Sequence, residues 1–188
     1  SVHDDVKFTE NLINLLMDKY SINAERIYST GMSNGGFFSF HLACNLSASF
    51  AAVASVTGSM TYSTFDNCNP RKPTPVLQIH GSLDATVPHK GSDTRNMKSI
   101  MEVMEYWKGN NGCDDYLLAT PGITPGTTSW TETYLYDNCL NGTQNIHLYV
   151  QGADHIWPGS IFVSIKDPDA SQKVWDFFSK YDINGVIQ

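Results

Sequence analysis

Apolar and polar positions follow two patterns along this chain, one typical of buried strands and one typical of helices. Strand patterns occur at 50–57, 75–79 and 145–150. Apolar residues at helical spacing predict helices over 4–20, 93–107 and 170–181. Strands and helices that alternate in this way indicate a sheet covered by helices. The pattern therefore predicts an α/β fold with a mostly parallel sheet and flanking helices.

Two further segments complete the predicted organisation. Residues 117–118 and 130–136 resemble a pair of strands, and the loop between them is marked by turn-forming residues, namely Pro121, Gly122, Pro125 and Gly126. The stretch 61–75 is rich in Asn, Pro and Ser and predicts a long loop. The chain contains no internal repeat, low-complexity tract or linker, so residues 1–188 are predicted to form a single domain.

Composition narrows the range of partners. A chain of 188 residues is long enough to bury a core. Its formal net charge of -7 leaves no basic patch for phosphates, so we expect no nucleic-acid partner. No apolar run is long enough to span a membrane, so no membrane partner is expected either.

The segment Gly31-Met32-Ser33-Asn34-Gly35 is the most informative motif in the chain. A strand-like run at 25–30 leads into it and a helix-like run at 37–43 follows it. A serine on such a sharp strand-to-helix turn presents its hydroxyl above the sheet. We expect glycine on both sides because a strained turn leaves no room for a Cβ. The alternative is a glycine-rich turn with an incidental serine.

Two candidate partners for this serine follow later strand patterns. Asp84 comes just after 75–79, and His155 comes just after 145–150. The order Ser, Asp, His along the chain is the order found in α/β-hydrolases. In such a site His155 would act as the base for Ser33, and Asp84 would orient the imidazole. The backbone N–H of Asn34 would supply one oxyanion-hole donor.

Other residues near these motifs receive more modest predictions. His80 ends a strand and is expected to fix, through hydrogen bonds, the loop that carries Asp84 (the acid loop). A structural or solvated role is expected for His89, and Asp154 is the second candidate for the acid. For Trp157, which follows the predicted base closely, two roles stay open: a wall of the substrate pocket, or a buried tryptophan beside Pro158.

The three motifs together resemble a known group of enzymes. They are 31–36, His80-Gly81-Ser82-Leu83-Asp84 with Val87-Pro88, and His155-Ile156-Trp157-Pro158-Gly159. The chain is similar over nearly its whole length to secreted esterases of the polyhydroxybutyrate depolymerase and feruloyl/acetylxylan esterase group. The resemblance implies the α/β-hydrolase fold and a Ser33–Asp84–His155 triad, with no metal and no organic cofactor. It implies hydrolysis, through an acyl-enzyme, of small or polymeric esters: short-chain, hydroxyalkanoate, or feruloyl- or acetyl-polysaccharide esters.

The chain departs from this group before the serine motif. In α/β-hydrolases a second oxyanion donor comes from an early loop, and here only 32 residues precede Ser33. We therefore expect an N-terminally shortened form, corresponding to the C-terminal part of the usual fold. The alternative function is a truncated, non-catalytic relative that acts as a binding domain or is an inactive fragment. Missing strands would expose a sheet edge, which predicts either a homodimer through that edge or a partner that supplies a strand.

Four cysteines have long spacings that match no zinc pattern; they are Cys44, Cys68, Cys113 and Cys139. Their even number suggests two disulfides, and the nearest pairs along the chain are Cys44 with Cys68 and Cys113 with Cys139. Four reduced thiols are the alternative, and the family resemblance favours bridges. Disulfides would imply an oxidising compartment, so we expect a secreted or periplasmic protein.

Overall fold

The computed structural model describes residues 4–123 and 130–187. Six strands of this part form one sheet, in the spatial order β1-β2-β3-β6-β5-β4. Their bounds are β1 Tyr28–Met32, β2 Ala52–Val56, β3 Val76–Gly81, β4 Leu117–Ile123, β5 Trp130–Tyr136 and β6 Asn145–Val150. A short hairpin of β7, Tyr181–Asp182, and β8, Gly185–Val186, closes the described chain.

Helices connect and cover these strands. Their bounds are α1 Asp5–Lys19, α2 Asn34–Asn45, α3 Tyr62–Asp66, α4 Ile100–Asn111 and α5 Ala170–Phe178. Asp4 caps α1 by accepting a hydrogen bond from the backbone N–H of Lys7, and Asp169 caps α5 in the same way for Gln172. The helices predicted near 4–20 and 170–181 are thus confirmed, with slightly shorter bounds.

The sheet is mostly parallel, as predicted. β1, β2, β3 and β6 run parallel to one another, whereas β5 is antiparallel to β6 and β4 is antiparallel to β5. The carboxyl ends of the four parallel strands therefore lie at one edge of the sheet. Loops at this edge are where open α/β sheets place their sites.

Hydrophobic cores fill both faces of the sheet. On one face α2 and α4 pack over the strands, with Phe40, Val53, Met104 and Trp107 buried together. On the other face α5 packs over alternate strand residues, and its Val174, Phe177 and Phe178 point inward as predicted. Because both faces are covered, β2 and β3 are buried along their full length.

The predicted start of the helix at residue 93 is wrong. α4 begins at Ile100, where Ser99 and Glu102 form a capping box: the Ser99 hydroxyl accepts from the Glu102 N–H, and the Glu102 carboxylate accepts from the Ser99 N–H. The preceding Asp93–Arg95 segment is a single 3₁₀ turn. A cap that satisfies the first N–H groups fixes the helix start more strongly than apolar spacing does.

The structure differs in part from the predictions for two loops, 61–75 and the loop of the predicted hairpin. The 61–75 stretch contains the short helix α3. The predicted hairpin is confirmed, but Pro121 and Gly122 lie within β4, whose register with β5 shifts between Ala119 and Gly122. Pro125 and Gly126 lie outside the described residues.

Two disulfides join the cysteines in the predicted pairs. Cys44, near the end of α2, is bonded to Cys68 in the segment after α3. Cys113, just after α4, is bonded to Cys139, which follows β5. Each bridge therefore ties a helix end to a loop on the face of the sheet that α2 and α4 cover.

Candidate active site

Ser33 occupies the turn between β1 and α2. Its φ of 54° and ψ of -117° are rare for a residue other than glycine, and α2 begins directly after it. The Ser33 N–H donates to the Val56 carbonyl at 2.9 Å, and the Ser33 carbonyl accepts from the Phe37 N–H at 3.0 Å. These bonds hold a half-buried serine on a strained turn at the carboxyl edge of the sheet.

The glycines around Ser33 differ in how tightly they are packed. A Cβ at Gly31 would lie 2.7 Å from the Gly35 Cα, so glycine is required there as predicted. A Cβ at Gly35 would meet nothing within 4 Å, so the predicted lack of room at Gly35 is wrong. The second tight position is Gly36, where a Cβ would lie 2.5 Å from the Ser55 hydroxyl and 3.0 Å from the Gly58 Cα.

Asp84 lies on the loop after β3, and its side chain is fully buried. Its Oδ1 accepts hydrogen bonds from the backbone N–H groups of Thr86, at 2.9 Å, and Val87, at 2.8 Å. Its Oδ2 accepts from Nδ1 of His155 at 2.9 Å. Both carboxylate oxygens therefore have donors, as a buried charge requires.

His155 lies on the loop after β6, with 18% of its side chain exposed. Because Nδ1 donates to Asp84, the neutral ring carries its lone pair on Nε2. Asp154, the second candidate acid, accepts at 2.8 Å from the backbone N–H of His155. The hydrogen bond of the imidazole itself goes to Asp84.

The structure brings two of the three predicted triad residues into direct contact. Ser33, Asp84 and His155 follow β1, β3 and β6, so all three lie at the carboxyl edge of the parallel strands. Among the described residues the only hydrogen bond within this trio joins His155 to Asp84. Asn34, the predicted oxyanion donor, is the exposed first residue of α2.

His80 holds the loop that carries Asp84, as predicted. The ring is fully buried at the end of β3, and its Nε2–H donates to the Val87 carbonyl at 2.7 Å. The same nitrogen lies 3.6 Å from Asp84 Oδ2. Burial lowers the pKa of His80, against the smaller opposing effects of Val87 and Asp84, so this approach is not an ion pair at neutral pH.

Two more histidines join His80 in a cluster that sequence reasoning missed. Nε2–H of His89 donates to Nε2 of His147 at 3.0 Å, since Nδ1 of His147 donates to the Gln78 carbonyl at 3.3 Å. Burial lowers the pKa of His89 to about 4, with His80 adding to the effect. Burial and the two neighbouring histidines place the pKa of His147 well below its ordinary value. The feature of the sequence that could have indicated this cluster is the presence of polar residues inside buried strand patterns.

Trp157 lies against the core on the α5 side of the sheet. Its ring packs on the apolar cluster of that face, and Nε1–H donates to the Ser171 hydroxyl at 3.0 Å. The indole is partly buried, so part of its surface faces solvent near the His155 loop. A substrate contact by Trp157 stays a prediction.

A recess of about 500 Å³ borders the acid loop. Its lining residues are Ser82, Leu83, Asp84, Ala85, Pro88, His89, Lys90 and Tyr149. Over residues 4–123 and 130–187, no group of three or more His, Cys, Asp or Glu side chains is placed to hold a metal ion. In the same part of the chain, no helix has both the length and the apolar character needed to cross a bilayer.

The fold and the strand–serine–helix turn are those of an α/β-hydrolase. The model of the phospholipase/carboxylesterase family matches residues 1–106, and the chain belongs to this family.

Two curated relatives and one solved structure are similar to this chain. Feruloyl esterase D of Neurospora crassa is 27% identical over 180 residues, which is 95% of this chain and 56% of that protein. A bifunctional acetylxylan esterase/xylanase of Neocallimastix patriciarum is 22% identical over 97% of this chain and 24% of its own length. An acetyl xylan esterase from Aspergillus awamori shares the fold with a TM-score of 0.62 at 16% identity, covering 93% of this chain and 66% of that one. The chain thus spans about half or less of the curated relatives named here.

Proposed function

We propose that this chain is a serine esterase in which Ser33 is the nucleophile, His155 the general base and Asp84 the residue that orients the base. The observation that carries the proposal is the 2.9 Å hydrogen bond from His155 Nδ1 to a buried Asp84 carboxylate. That bond leaves Nε2 of His155 as the lone-pair nitrogen. Ser33 stands at the same sheet edge, on the turn that presents a nucleophile in α/β-hydrolases.

The reaction would proceed by acyl transfer. Nε2 of His155 takes the proton of the Ser33 hydroxyl while the Ser33 oxygen forms a bond to the ester carbonyl carbon. Collapse of the tetrahedral intermediate breaks the bond to the alcohol, which leaves with that proton. Water, deprotonated by the same nitrogen, then attacks the acyl-enzyme and releases the carboxylic acid and free Ser33. Asp84 stabilises the imidazolium during both halves.

The start of α2 supplies one place for the developing oxyanion. The N–H groups of the first helical turn have no intrahelical partner, and that of Asn34 follows Ser33 directly. A donor at this position is typical of the oxyanion hole of α/β-hydrolases. Removal of one such donor lowers turnover by about 10²–10³ in enzymes of this kind.

The preferred proposed substrates are feruloyl and acetyl esters of polysaccharides. Short-chain and hydroxyalkanoate esters are the second choice. This choice is supported by the named activities of the relatives, which are a feruloyl esterase and an acetylxylan esterase/xylanase. The two disulfides support a secreted or periplasmic location, since such bonds persist in oxidising compartments.

The test is a comparison of ester hydrolysis by the wild-type chain, Ser33→Ala and a matched serine control. The substrates are p-nitrophenyl acetate, methyl ferulate and acetylated xylan. Ser29→Ala is the control because Ser29 lies on β1, four residues before Ser33, and bonds the Ser39 hydroxyl.

We expect turnover by wild type and Ser29→Ala, and a loss of at least about 10³-fold in Ser33→Ala. Equal hydrolysis by Ser33→Ala would contradict the proposed nucleophile. A folded wild-type chain without any turnover would instead favour the non-catalytic binding domain.

A further inference from the structure

We propose that Gln78 is a positioning residue for this reaction: it fixes the proton of His80 on Nε2, and His80 in turn holds the loop that carries Asp84. The inference rests on the proposed function, because the role of Asp84 belongs to that proposal. It concerns a buried side chain on β3 that contacts neither Ser33 nor His155 through any hydrogen bond of the described residues.

Gln78 is a polar side chain within the buried cluster that also contains His80 and His147. It is completely buried in the middle of β3, between the apolar residues Leu77 and Ile79. A buried amide is costly unless it is hydrogen-bonded, and among the described residues Oε1 of Gln78 has no partner, so the NH₂ group alone anchors this side chain. Nε2 of Gln78 has two hydrogen-bond partners, the Gly58 carbonyl at 3.0 Å and Nδ1 of His80 at 2.9 Å.

These two partners determine the orientation of the amide. A backbone carbonyl can only accept, so the NH₂ group of Gln78 must face Gly58. The flipped amide would set Oε1 against the Gly58 oxygen. With the NH₂ group in place, its second hydrogen points to Nδ1 of His80, which must therefore accept. The single ring proton of neutral His80 is consequently on Nε2.

The proton on Nε2 is the one that the acid loop needs. It donates to the Val87 carbonyl at 2.7 Å, while the Val87 N–H donates to Asp84 Oδ1 at 2.8 Å. Val87 is thus held at both of its backbone polar groups. If the proton moved to Nδ1, the Nε2 lone pair would face two acceptors, the Val87 oxygen and Asp84 Oδ2. The repulsion would displace the loop and the carboxylate that bonds His155.

The second hydrogen bond of the Gln78 NH₂ group, to the Gly58 carbonyl, reaches the structure beneath Ser33. Gly58 lies in the turn after β2, and a Cβ there would be 2.8 Å from the Gly36 Cα. Gly36 belongs to the first turn of α2, which begins directly after Ser33. The Gln78 amide therefore connects Gly58, which packs against the start of α2, to His80, which holds the loop of Asp84.

The first test compares two variants that each remove one buried side-chain amide, Gln78 on β3 or Asn111 at the end of α4. Gln78→Met removes both donors at similar volume. Asn111→Leu is the matched control, because the fully buried Asn111 side chain bonds the N–H and carbonyl of Thr74, at the opposite end of β3. We expect both to lower the unfolding temperature. Only Gln78→Met should also lower kcat, by about 10- to 100-fold with KM nearly unchanged, as expected for a misplaced catalytic group.

A second measurement does not depend on activity or on the folding of a variant. Nitrogen NMR of wild-type His80 at neutral pH should show a protonated Nε2 and an unprotonated Nδ1. A protonated Nδ1 would overturn the proposal, as would equal losses of kcat in Gln78→Met and Asn111→Leu. If the wild-type chain hydrolyses no ester, the proposed function fails, and a protonated Nδ1 of His80 would still independently overturn the proposed position of its proton.

Discussion

Asp84 collects more directed contacts than any other residue of the proposed site. Two backbone N–H groups and one imidazole N–H reach its carboxylate, and His80 stands behind the same loop. The sequence predicted the residue and its order along the chain, because the acid follows a strand pattern and precedes the histidine. It did not predict the two backbone donors, since they depend on the conformation of a loop that has no periodic pattern.

At the residue scale we predict a specific loss of turnover in Asp84→Asn. An amide at this position presents a donor as well as an acceptor, so it allows the wrong tautomer of His155. We expect kcat to fall by about 10⁴-fold, the effect of the corresponding change in a serine protease triad. Asp154→Asn serves as the control because, among the described residues, the Asp154 side chain bonds only the backbone N–H of His155. A larger fall in kcat in Asp154→Asn than in Asp84→Asn would show that Asp154, and not Asp84, is the acid that orients His155. Ester hydrolysis rates with each purified variant measure the effect.

At the scale of elements, strand and helix types were predictable from apolar spacing, whereas their junctions were not. β6 has the predicted bounds, and α5 and the β4–β5 hairpin lie where expected. The start of α4 was misplaced because the capping box at Ser99 outweighs the apolar pattern. Likewise, the packing of α2 against β1 and against the end of β2 decides which glycines are needed around Ser33, and sequence alone does not show this packing.

The packing of β1 against α2 gives a prediction for a matched pair of glycine variants. Gly31→Ala places a Cβ 2.7 Å from the Gly35 Cα, so the strand-to-helix turn must shift. We expect a loss of about 1–3 kcal/mol in the free energy of unfolding, typical of overpacking, together with lower esterase activity. Gly35→Ala adds its methyl group to open space on a helix, so the free energy of unfolding should change by less than about 1 kcal/mol. Urea unfolding of both variants makes the comparison, and equal destabilisation would contradict the packing described.

At the scale of the whole molecule, one face of the sheet combines an apolar core with a buried polar cluster. His80, His89 and His147 meet there with Gln78, and burial is the first cause of the lowered pKa of each histidine. The mostly parallel sheet was predictable from the order of strands and helices. The cluster was not, because it is assembled from β3, β6 and the loop after β3.

The buried histidines predict a stability that falls on acidification. Their unfolded-state pKa is near 6.5, and the folded-state pKa of His89 is about 4. Between these values the unfolded chain binds more protons, so the free energy of unfolding decreases as pH falls from about 6.5 towards 4. His89→Gln should make this dependence shallower while it keeps a donor for His147. Urea unfolding of wild type and His89→Gln at several pH values measures this dependence, and identical slopes in the two proteins would contradict the role of His89.

Two expectations at this scale stay predictions. They are the single domain over 1–188 and a homodimer through an exposed sheet edge. β1 stands at the end of the strand order with β2 as its neighbour, so its other side is the place where such pairing would occur. Light scattering at high concentration should show a dimer, and a monomer at every concentration would remove that expectation.

The proposed function requires Ser33 to be a nucleophile activated by the His155–Asp84 pair. The most direct test is reaction of the wild-type chain with a fluorophosphonate ester, followed by mass spectrometry of the intact protein and of its peptides. We expect one adduct, on Ser33, which is absent in Ser33→Ala and forms much more slowly in His155→Gln. Labelling at another residue, or equal labelling of wild type and Ser33→Ala, would contradict it.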